Sequence, residues 1–217
     1  MISIKTFQFN ILQVNTYVVW DETGEAAVID PGCMYRGESE MLCSFIRDNG
    51  IKPRLLLNTH LHFDHVFGNP VIGEAFGLKA KAHKADLPWL TTLPQKIGVL
   101  GLSVEKVVDS IEPENFIDES SVMEFGNTEF EVLHIPGHSP GSLAFYCRKE
   151  NTVFTGDALF RGSIGRTDFE DSDGPALISS INSKLMPMPD DTVVLPGHGP
   201  SSTIGFERNN NPYLYSY

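Results

Sequence analysis

The chain has 217 residues, of which 28 are acidic and 16 are basic, so its formal net charge is −12. This length suits one domain, since about 150 residues per domain is a common value. The content of 41% hydrophobic and 20% charged residues excludes a disordered chain. A negative chain also lacks the positive charge that displaces counterions from phosphates, so we expect no nucleic-acid partner.

The cysteines and the N-terminus indicate the cellular compartment. Cys33, Cys43 and Cys147 are widely spaced and form no CxxC pair, which predicts neither a disulfide framework nor a thiolate zinc site. The first ten residues alternate between polar and apolar side chains, and no apolar run reaches about 18 residues. We therefore expect a cytoplasmic protein with no signal peptide and no membrane partner.

The first half of the chain predicts strands followed by helices. Short β-rich runs over 2–9, 14–20 and 26–29, separated by turn residues, predict an opening meander. Apolar residues at helical spacing before Gly50 predict a helix over 38–49. A buried strand over 55–57 follows, then a helix from near His65 to near Gly77. The stretch over 84–115 is broken by three prolines and predicts irregular structure.

The second half of the chain returns to β structure. Apolar runs predict strands over 122–125, 130–135, 143–147, 153–155 and 193–195, with a helix over about 175–185 between the last two. No Ser/Gly-rich linker interrupts the chain. Strands, a few helices and more strands predict a single domain of mixed class over residues 1–217.

Four residues of metal-ligand type lie in the run THLHFDH at 59–65, directly after a predicted buried strand. In an extended chain, side chains at i and i+2 share one face about 6.6 Å apart, so His60 and His62 can bind one metal ion. Asp64 and His65 fall where the strand gives way to a helix and can turn toward a second ion. Taken alone, two such histidines would more often be surface residues beside a helix-capping Asp64.

Three further residues of ligand type also follow predicted strands. His138 lies in PGHSPGS at 136–142, Asp157 in TGD at 155–157, and His198 in LPGHGP at 195–200. Ligands at strand ends, flanked by Gly and Pro, are held on rigid elements beside loops that can form a mouth. Because residue type and context agree at four separate places, the sequence predicts a divalent metal site, with zinc preferred over iron or manganese.

The HxHxDH run and the later His, Asp and His, in this order, resemble the metallo-β-lactamase fold superfamily over nearly the whole chain. The resemblance implies an α+β fold, a four-layer αββα sandwich with two mixed β-sheets and a two-metal site along one edge. It also implies a ligand assignment. His60, His62 and His138 bind the first metal, Asp64, His65 and His198 bind the second, and Asp157 bridges both.

Within that superfamily the chain is similar to the short bacterial relatives of glyoxalase II, the hydroxyacylglutathione hydrolases. The run SIGRTD at 163–168 and the segment STIGFER at 202–208 are typical of that short group. Larger glyoxalase II enzymes carry a further C-terminal helical segment that helps to hold glutathione, whereas 19 residues follow His198 here. We therefore expect hydrolysis of a small-molecule thioester with weak discrimination between thiols.

The resemblance and the ligand chemistry imply a metal-dependent mechanism. Two divalent ions favour an anionic oxygen ligand such as a bridging hydroxide, because the seven ligands include only two carboxylates. Metal coordination lowers the pKa of water from 15.7 to about 7 and gives a nucleophile at neutral pH. Asp64 is the candidate catalytic residue that manages the proton. Arg166 is a candidate for binding a substrate carboxylate, and an Arg166–Asp168 loop contact is an equal alternative.

Other reaction classes remain open on the same scaffold. Persulfide dioxygenases resemble the chain in the run GRTDF at 165–169, and they use a single iron held by two histidines and one aspartate. The absence of an export signal disfavours β-lactam hydrolysis, and the charge of −12 disfavours ribonuclease activity. A purely structural metal site is disfavoured because such sites are usually closed and rich in thiolates. His83 and His134 are expected to be structural histidines.

Overall fold

The computed structural model describes residues 1–90 and 116–214. Its first sheet has the order β1-β2-β3-β4-β5, in which β1 to β3 are antiparallel and β3, β4 and β5 are parallel. The predicted meander is therefore confirmed. The strands are β1 (Ser3–Phe9), β2 (Val14–Trp20), β3 (Glu25–Ile29), β4 (Lys52–Leu57) and β5 (Ala80–Lys81).

The second sheet has the order β13-β12-β9-β8-β7-β6 and contains the predicted strands of the second half. Its β9 and β12 are parallel and its other pairs are antiparallel, so both sheets are mixed. A small hairpin of β10 (Leu159–Phe160) and β11 (Ser163–Ile164) lies between β9 and β12 in the chain. The strands of the sheet are β6 (Val122–Phe125), β7 (Thr128–His134), β8 (Leu143–Cys147), β9 (Thr152–Gly156), β12 (Val193–Pro196) and β13 (Ser202–Thr203).

Five α-helices lie wholly within the described residues, and α1 ends as its sequence predicts. Its last residue is Asp48, and Gly50 follows with φ 65°, a left-handed conformation that glycine adopts without strain. The predicted helix over 175–185 consists of α4 continued by one π turn over Ile181–Leu185. The helices are α1 (Arg36–Asp48), α2 (Phe63–Val66), α3 (Asn69–Phe76), α4 (Gly174–Ser180) and α5 (Ile204–Asn210).

The prediction of one helix from near His65 to near Gly77 is wrong, because two helices occupy this segment. The break comes at Gly68, where an added Cβ would lie 2.6 Å from the Pro31 carbonyl oxygen. Pro70 then lacks the backbone N–H that would bond back to α2, so it begins a new helix instead of continuing the old one. Gly77 ends α3 with φ 69°, as its position predicts.

The buried side chains divide into three clusters that define four layers. In β2, Val18 packs toward α1 and α3, while its neighbours Tyr17 and Val19 face the second sheet. In β8, Phe145 faces the first sheet and Tyr146 packs toward α4 and α5. Each large apolar side chain buried in this way contributes about 1.5–3 kcal/mol to stability. The predicted four-layer αββα sandwich is confirmed.

Two sequence predictions meet the limits of the described chain. The predicted irregular stretch over 84–115 begins with one 3₁₀ turn, Lys84–Asp86, and residues 87–90 are helical, so the prediction is wrong there; residues 91–115 lie outside the described part. In the parts of the chain that the structure describes, no helix is both long enough and apolar enough to cross a bilayer.

Candidate metal centre

The seven predicted ligands lie at one edge of the sandwich, at the ends of four elements. His60 and His62 follow β4, and Asp64 and His65 lie in α2. Since β9 and β12 are parallel neighbours, the segments that leave their C-terminal ends emerge side by side. The remaining three ligands follow such strand ends: His138 after β7, Asp157 after β9 and His198 after β12.

The first cluster consists of His60, His62 and His138, one nitrogen of each lying within 4.8 Å of the others. The ring centroid of His60 lies 4.6 Å from that of His62 and 5.0 Å from that of His138. His138 Nε2 lies 2.9 Å from His62 Nδ1. All three side chains are buried, so three imidazoles that are distant in the sequence converge on one point.

The second cluster consists of Asp64, His65 and His198, whose candidate ligand atoms also lie within 4.8 Å of one another. Asp64 Oδ2 lies 3.4 Å from His198 Nε2 and 3.7 Å from His65 Nε2. Asp64 and His65 are buried, and His198 is about one quarter exposed, with 26% of its side chain accessible. This cluster therefore opens toward solvent on the His198 side.

Asp157 lies between the two clusters and contacts both. Its Oδ1 lies 3.5 Å from His65 Nε2, and its Oδ2 lies 3.6 Å from both His138 Nε2 and His198 Nε2. Gly156, which precedes Asp157, and Gly197, which lies beside it, allow the Asp157 side chain to approach both clusters. A Cβ at Gly197 would lie 2.8 Å from the His65 ring. A carboxylate that contacts histidines of both clusters has the position that a bridging ligand requires.

Four of the five histidines are held through Nδ1, which leaves Nε2 directed into the centre. His138 Nδ1 lies 2.8 Å from the Arg166 carbonyl oxygen, and His198 Nδ1 lies 2.9 Å from the Leu12 carbonyl oxygen. His65 Nδ1 and His60 Nδ1 are held by side chains, at 3.0 Å from an aspartate oxygen and 3.0 Å from a threonine hydroxyl. Metal-binding histidines are generally oriented in this way, because the anchored nitrogen fixes the tautomer and the ring plane.

Asp30 supplies the side-chain anchor, and sequence reasoning did not identify it. Its Oδ2 accepts from Thr59 Oγ1 at 2.6 Å and lies 3.0 Å from His65 Nδ1. Thr59 Oγ1 lies 3.0 Å from His60 Nδ1, so one carboxylate supports a histidine of each cluster. Asp30 follows β3 directly, and this strand-end position is the same signal that identified Asp157.

Asp86 is a second buried acid that sequence reasoning missed. Its side chain accepts from Leu61 N at 3.1 Å, Ser139 Oγ at 2.8 Å and Gly141 N at 2.5 Å. Leu61 lies between two ligands and Ser139 follows a third, so Asp86 joins the two loops that carry the first cluster. Its partners are 25, 53 and 55 residues away in sequence, and no local spacing could have revealed them.

The centre has the chemistry of a cation site. Among the described residues, the buried atoms His60 Nε2, His65 Nε2 and Asp157 Oδ1 have no hydrogen-bond partner, which is costly unless a metal ion binds them. Burial would lower the pKa of His65, but Asp157, Asp64 and Asp30 outweigh it and raise the pKa to about 10. A pocket that holds a proton this strongly favours positive charge. The clusters therefore fit divalent metal ions.

The pKa shifts of His60 and Asp64 also agree with a cation site. Burial lowers the pKa of His60 well below its ordinary value, and the neighbouring His65 lowers it further, so His60 is a neutral imidazole. Burial would raise the pKa of Asp64, but His65 and His198 lower it to about 2. Asp64 is thus ionised. His60 as a neutral imidazole and Asp64 as a carboxylate are in the protonation states that metal ligation requires.

Arg166 makes the loop contact that the sequence left as one of two alternatives. Its Nε and terminal nitrogen donate to the two carboxylate oxygens of Asp168 at 2.6 and 2.7 Å, and its guanidinium lies 4.5 Å from the Phe169 ring centroid. The side chain is nevertheless exposed and lines the cavity beside the clusters. His83 and His134 stack on each other at 4.4 Å and belong to neither cluster.

A cavity of about 630 Å³ opens beside both clusters. Trp89 and Phe169 lie on its wall next to His62, and Phe160 lies next to His198. The described residues that line the cavity are Leu12, His62, Phe63, Asp64, Trp89, His138, Asp157, Phe160, Ser163, Ile164, Arg166, Phe169 and His198.

Comparison with known proteins decides the family. The sequence model of the metallo-beta-lactamase superfamily matches residues 10–198, which include every residue of the two clusters. The chain belongs to the metallo-beta-lactamase superfamily. The resemblance that the HxHxDH run implies is thereby confirmed.

Similar members of the superfamily extend over the whole chain. The hydroxyacylglutathione hydrolase GloC of Haemophilus influenzae is 37% identical over 216 residues, which is 99% of this chain and 99% of that protein. The BLEG-1 B3 metallo-beta-lactamase has a TM-score of 0.86 and 32% identity, with 99% of this chain and all of that chain covered. TTHA1623, solved in a di-iron-bound form, has a TM-score of 0.83 and 38% identity over 97% of this chain and all of its own.

Proposed function

We propose that this protein hydrolyses thioesters with the help of two divalent metal ions. The observation that carries the proposal is the position of Asp157, whose carboxylate lies within 3.6 Å of histidines of two thiolate-free clusters. The relative from Haemophilus influenzae supports the reaction class, because it is named a hydroxyacylglutathione hydrolase and matches the chain end to end. The proposed site uses seven ligands.

The assignment of these ligands follows the clusters. His60, His62 and His138 hold one ion, Asp64, His65 and His198 hold the other, and Asp157 contacts both. Nitrogen and oxygen ligands without thiolate suit zinc, iron and manganese, and we propose zinc. The di-iron form of TTHA1623 makes iron the alternative to test.

Bound ions would lower the pKa of water to about 7 and polarise the substrate carbonyl, which supplies a nucleophile and an electrophile at neutral pH. The protein itself orients the site. Asp30 and the carbonyl oxygens of Arg166 and Leu12 fix the histidine rings, so that Nε2 of each points inward. Fixed donors need no reorganisation when charge develops during the reaction.

Asp64 remains our candidate for handling the proton. Its pKa of about 2 keeps it ionised, so it can accept a proton only transiently before passing it to solvent or to the leaving thiolate. Its contact with the partly exposed His198, 3.4 Å away, provides an exit toward the cavity. Arg166 is a weaker candidate for binding a substrate carboxylate, because Asp168 already accepts from its Nε and one terminal nitrogen and balances its charge.

The relative also bears on the thiol. GloC matches this chain over 99% of both lengths, so its name supports turnover of a glutathione thioester. We propose that S-lactoylglutathione is hydrolysed here with a high KM, because Arg166, the one arginine or lysine among the described residues of the cavity lining, is already paired with Asp168.

The test combines metal analysis with activity. Gentle purification should give close to two metal ions per chain, and the zinc-loaded protein should hydrolyse S-lactoylglutathione. A metal content that stays at or below one under zinc or iron supplementation would contradict the two-metal proposal. Oxygen consumption with iron and glutathione persulfide, in the absence of thioesterase activity, would support the persulfide dioxygenase alternative instead.

A further inference from the structure

The cavity beside the clusters has an aromatic wall whose function the proposed mechanism does not explain. Trp89 and Phe169 pack edge to face, with ring centroids 5.5 Å apart and an interplanar angle of 79°. Both line the cavity of about 630 Å³. We call this pair of side chains the aromatic wall.

The aromatic wall begins at the first cluster. The Trp89 ring lies 4.3 Å from the His62 ring, and the Phe169 ring lies 5.0 Å from His62 and 5.8 Å from His138. These distances correspond to van der Waals contact between neighbouring rings. A substrate whose reacting carbonyl lies at the clusters can therefore place an adjoining group against this wall.

The charge of the lining points to the nature of that group. Among the described residues that line the cavity, Arg166 is the one arginine or lysine. Its guanidinium is held by both oxygens of Asp168 and lies over Phe169 at 4.5 Å. A substrate carboxylate would meet a guanidinium whose charge Asp168 already balances and whose Nε and one terminal nitrogen are engaged, whereas an apolar group packs on the wall with no polar group left unpaired.

We propose that the substrate carries an apolar arm, aromatic or branched alkyl, next to its thioester carbonyl, and that this arm packs on Trp89 and Phe169. The inference rests on the proposed thioesterase function and specifies its substrate class. The arm is either the acyl group or the thiol of the thioester. Both sources present the same apolar chemistry to the wall, and a substrate panel separates them.

The kinetic experiment uses the zinc-loaded full chain and two series of thioesters. The first series keeps glutathione and changes the acyl group from lactoyl to isobutyryl and phenylacetyl. The second series keeps the lactoyl group and changes the thiol from glutathione to N-acetylcysteamine and benzyl mercaptan. We expect kcat/KM to rise about 10- to 100-fold with the apolar substituent in one of the two series, the size of gain that hydrophobic pockets provide.

The variant Phe169→Ala should remove that gain, so that kcat/KM becomes nearly equal for the polar and the apolar substituents. Phe206→Ala is the matched control, because Phe206 lies in α5, packs against Arg161 and does not line the cavity. Phe169→Leu keeps an apolar side chain and should restore part of the preference. This partial rescue distinguishes a binding role from general damage to the fold.

A binding measurement does not depend on turnover. Trp20 and Trp89 are the two tryptophans of the chain, and Trp20 packs against Phe45 in another layer. In a Trp20→Phe variant, fluorescence therefore reports on Trp89 alone. The benzyl thioether of N-acetylcysteamine, which cannot be hydrolysed, should change this fluorescence saturably, and its methyl thioether should need a much higher concentration.

The outcomes separate the inference from the proposed function. Hydrolysis with equal kcat/KM for polar and apolar arms, and no effect of Phe169→Ala on the ratio, would overturn the inference and leave the thioesterase function standing. Saturable binding of the benzyl probe that Phe169→Ala abolishes, without any thioester hydrolysis, would support the apolar site and overturn the thioesterase function. The absence of both thioester hydrolysis and probe binding would overturn the inference and the proposed function together.

Discussion

At the scale of single residues, the two clusters depend on one shared carboxylate. Asp157 contacts His65 through one oxygen and His138 and His198 through the other, whereas His198 contacts residues of the second cluster and Asp157. The two residues therefore differ in how many ions they should affect. This difference can be measured as metal content.

We predict that Asp157→Ala abolishes hydrolysis and lowers the occupancy of both metal positions, and that His198→Ala mainly empties the second. The reason is that removing a shared ligand leaves each ion one ligand short. Metal content per chain, measured after dialysis against metal-free buffer, checks this. Glu124→Ala, at an exposed position of β6, is the control. If both variants lose one equivalent and retain the other, Asp157 is not the bridge.

A second prediction at this scale concerns Asp30, whose carboxylate lies within 4.8 Å of ligand atoms of His60 and His65 and orients both histidines. Asp30→Asn removes the charge that orients His65 and, through Thr59, His60. Loss of such a supporting carboxylate typically weakens metal binding about 10- to 100-fold. Competition with a chromogenic chelator measures the affinity, and the exposed Asp48→Asn serves as the control. Equal affinities in the two variants would show that Asp30 does not support the centre.

Single residues also show where sequence reasoning succeeded and where it failed. His60, His62, Asp64 and His65 could be grouped because they lie within six positions of one another. Asp86 could not be found, because it bonds to backbone and hydroxyl groups at least 25 residues away. Local spacing carries information about neighbours in the chain, and long-range hydrogen bonds have no such signature.

At the scale of elements, Asp86 joins the loop after β4 to the loop after β7. We predict that Asp86→Ala weakens binding at the first metal position more than at the second, since both loops carry ligands of the first cluster. The visible spectrum of the cobalt-substituted protein, titrated with one and two equivalents, separates the two positions. Asp86→Asn, which keeps one acceptor oxygen, should recover part of the spectrum. Equal perturbation of both positions would count against this role.

The break between α2 and α3 gives a second prediction at this scale. An added Cβ at Gly68 would approach the Pro31 carbonyl oxygen to 2.6 Å and collide with Cys33 Sγ, both of which belong to the packed loop after β3. We expect Gly68→Ala to lower the free energy of unfolding by about 1–3 kcal/mol, as overpacking generally does. Urea unfolding measures it. Gly37→Ala is the control, since nothing lies within 4 Å of that Cβ and alanine favours a helix by about 0.5–1 kcal/mol.

The same break shows why element boundaries were harder to predict than element types. The apolar spacing after His65 is helical on both sides of Gly68, so it joined two helices into one, although Pro70 lacks the N–H that would continue α2. The longer strands were mostly placed within two residues, because apolar runs such as those of β2 and β8 are buried on both faces of their sheets. The start of β4 was missed by three residues, and the two-residue strands β5, β10, β11 and β13 were not predicted.

At the scale of the whole molecule, the order of strands could not be read from the sequence. The parallel pairing of β9 with β12 brings Asp157 beside His198, although 40 residues separate them in the chain. The family resemblance implied this arrangement, whereas periodicity alone predicted only strands and helices. The assignment of residues 1–217 to a single domain stays a prediction.

The last prediction links the centre to the stability of the whole chain. In the metal-free protein, Asp157, Asp64 and Asp30 raise the pKa of the buried His65 to about 10, above its ordinary value of 6.5. A raised pKa means that the charged form stabilises the fold. That stabilisation is complete below about pH 6.5 and is lost as pH rises toward 10, by on the order of a few kcal/mol.

Metal binding has the opposite dependence on pH, because the ions must displace the proton from His65 and bind more tightly as pH rises. A ligand at a thousand-fold excess over its Kd adds about 4 kcal/mol to stability. We therefore expect the gap in Tm between zinc-loaded and chelated protein to widen steadily from pH 6.5 to 9.5. Chelated His65→Asn should lose less stability over this range than chelated wild type, because it lacks the titrating group. A gap that narrows with pH, or identical slopes for the two chelated proteins, would contradict the assignment of this charge to His65.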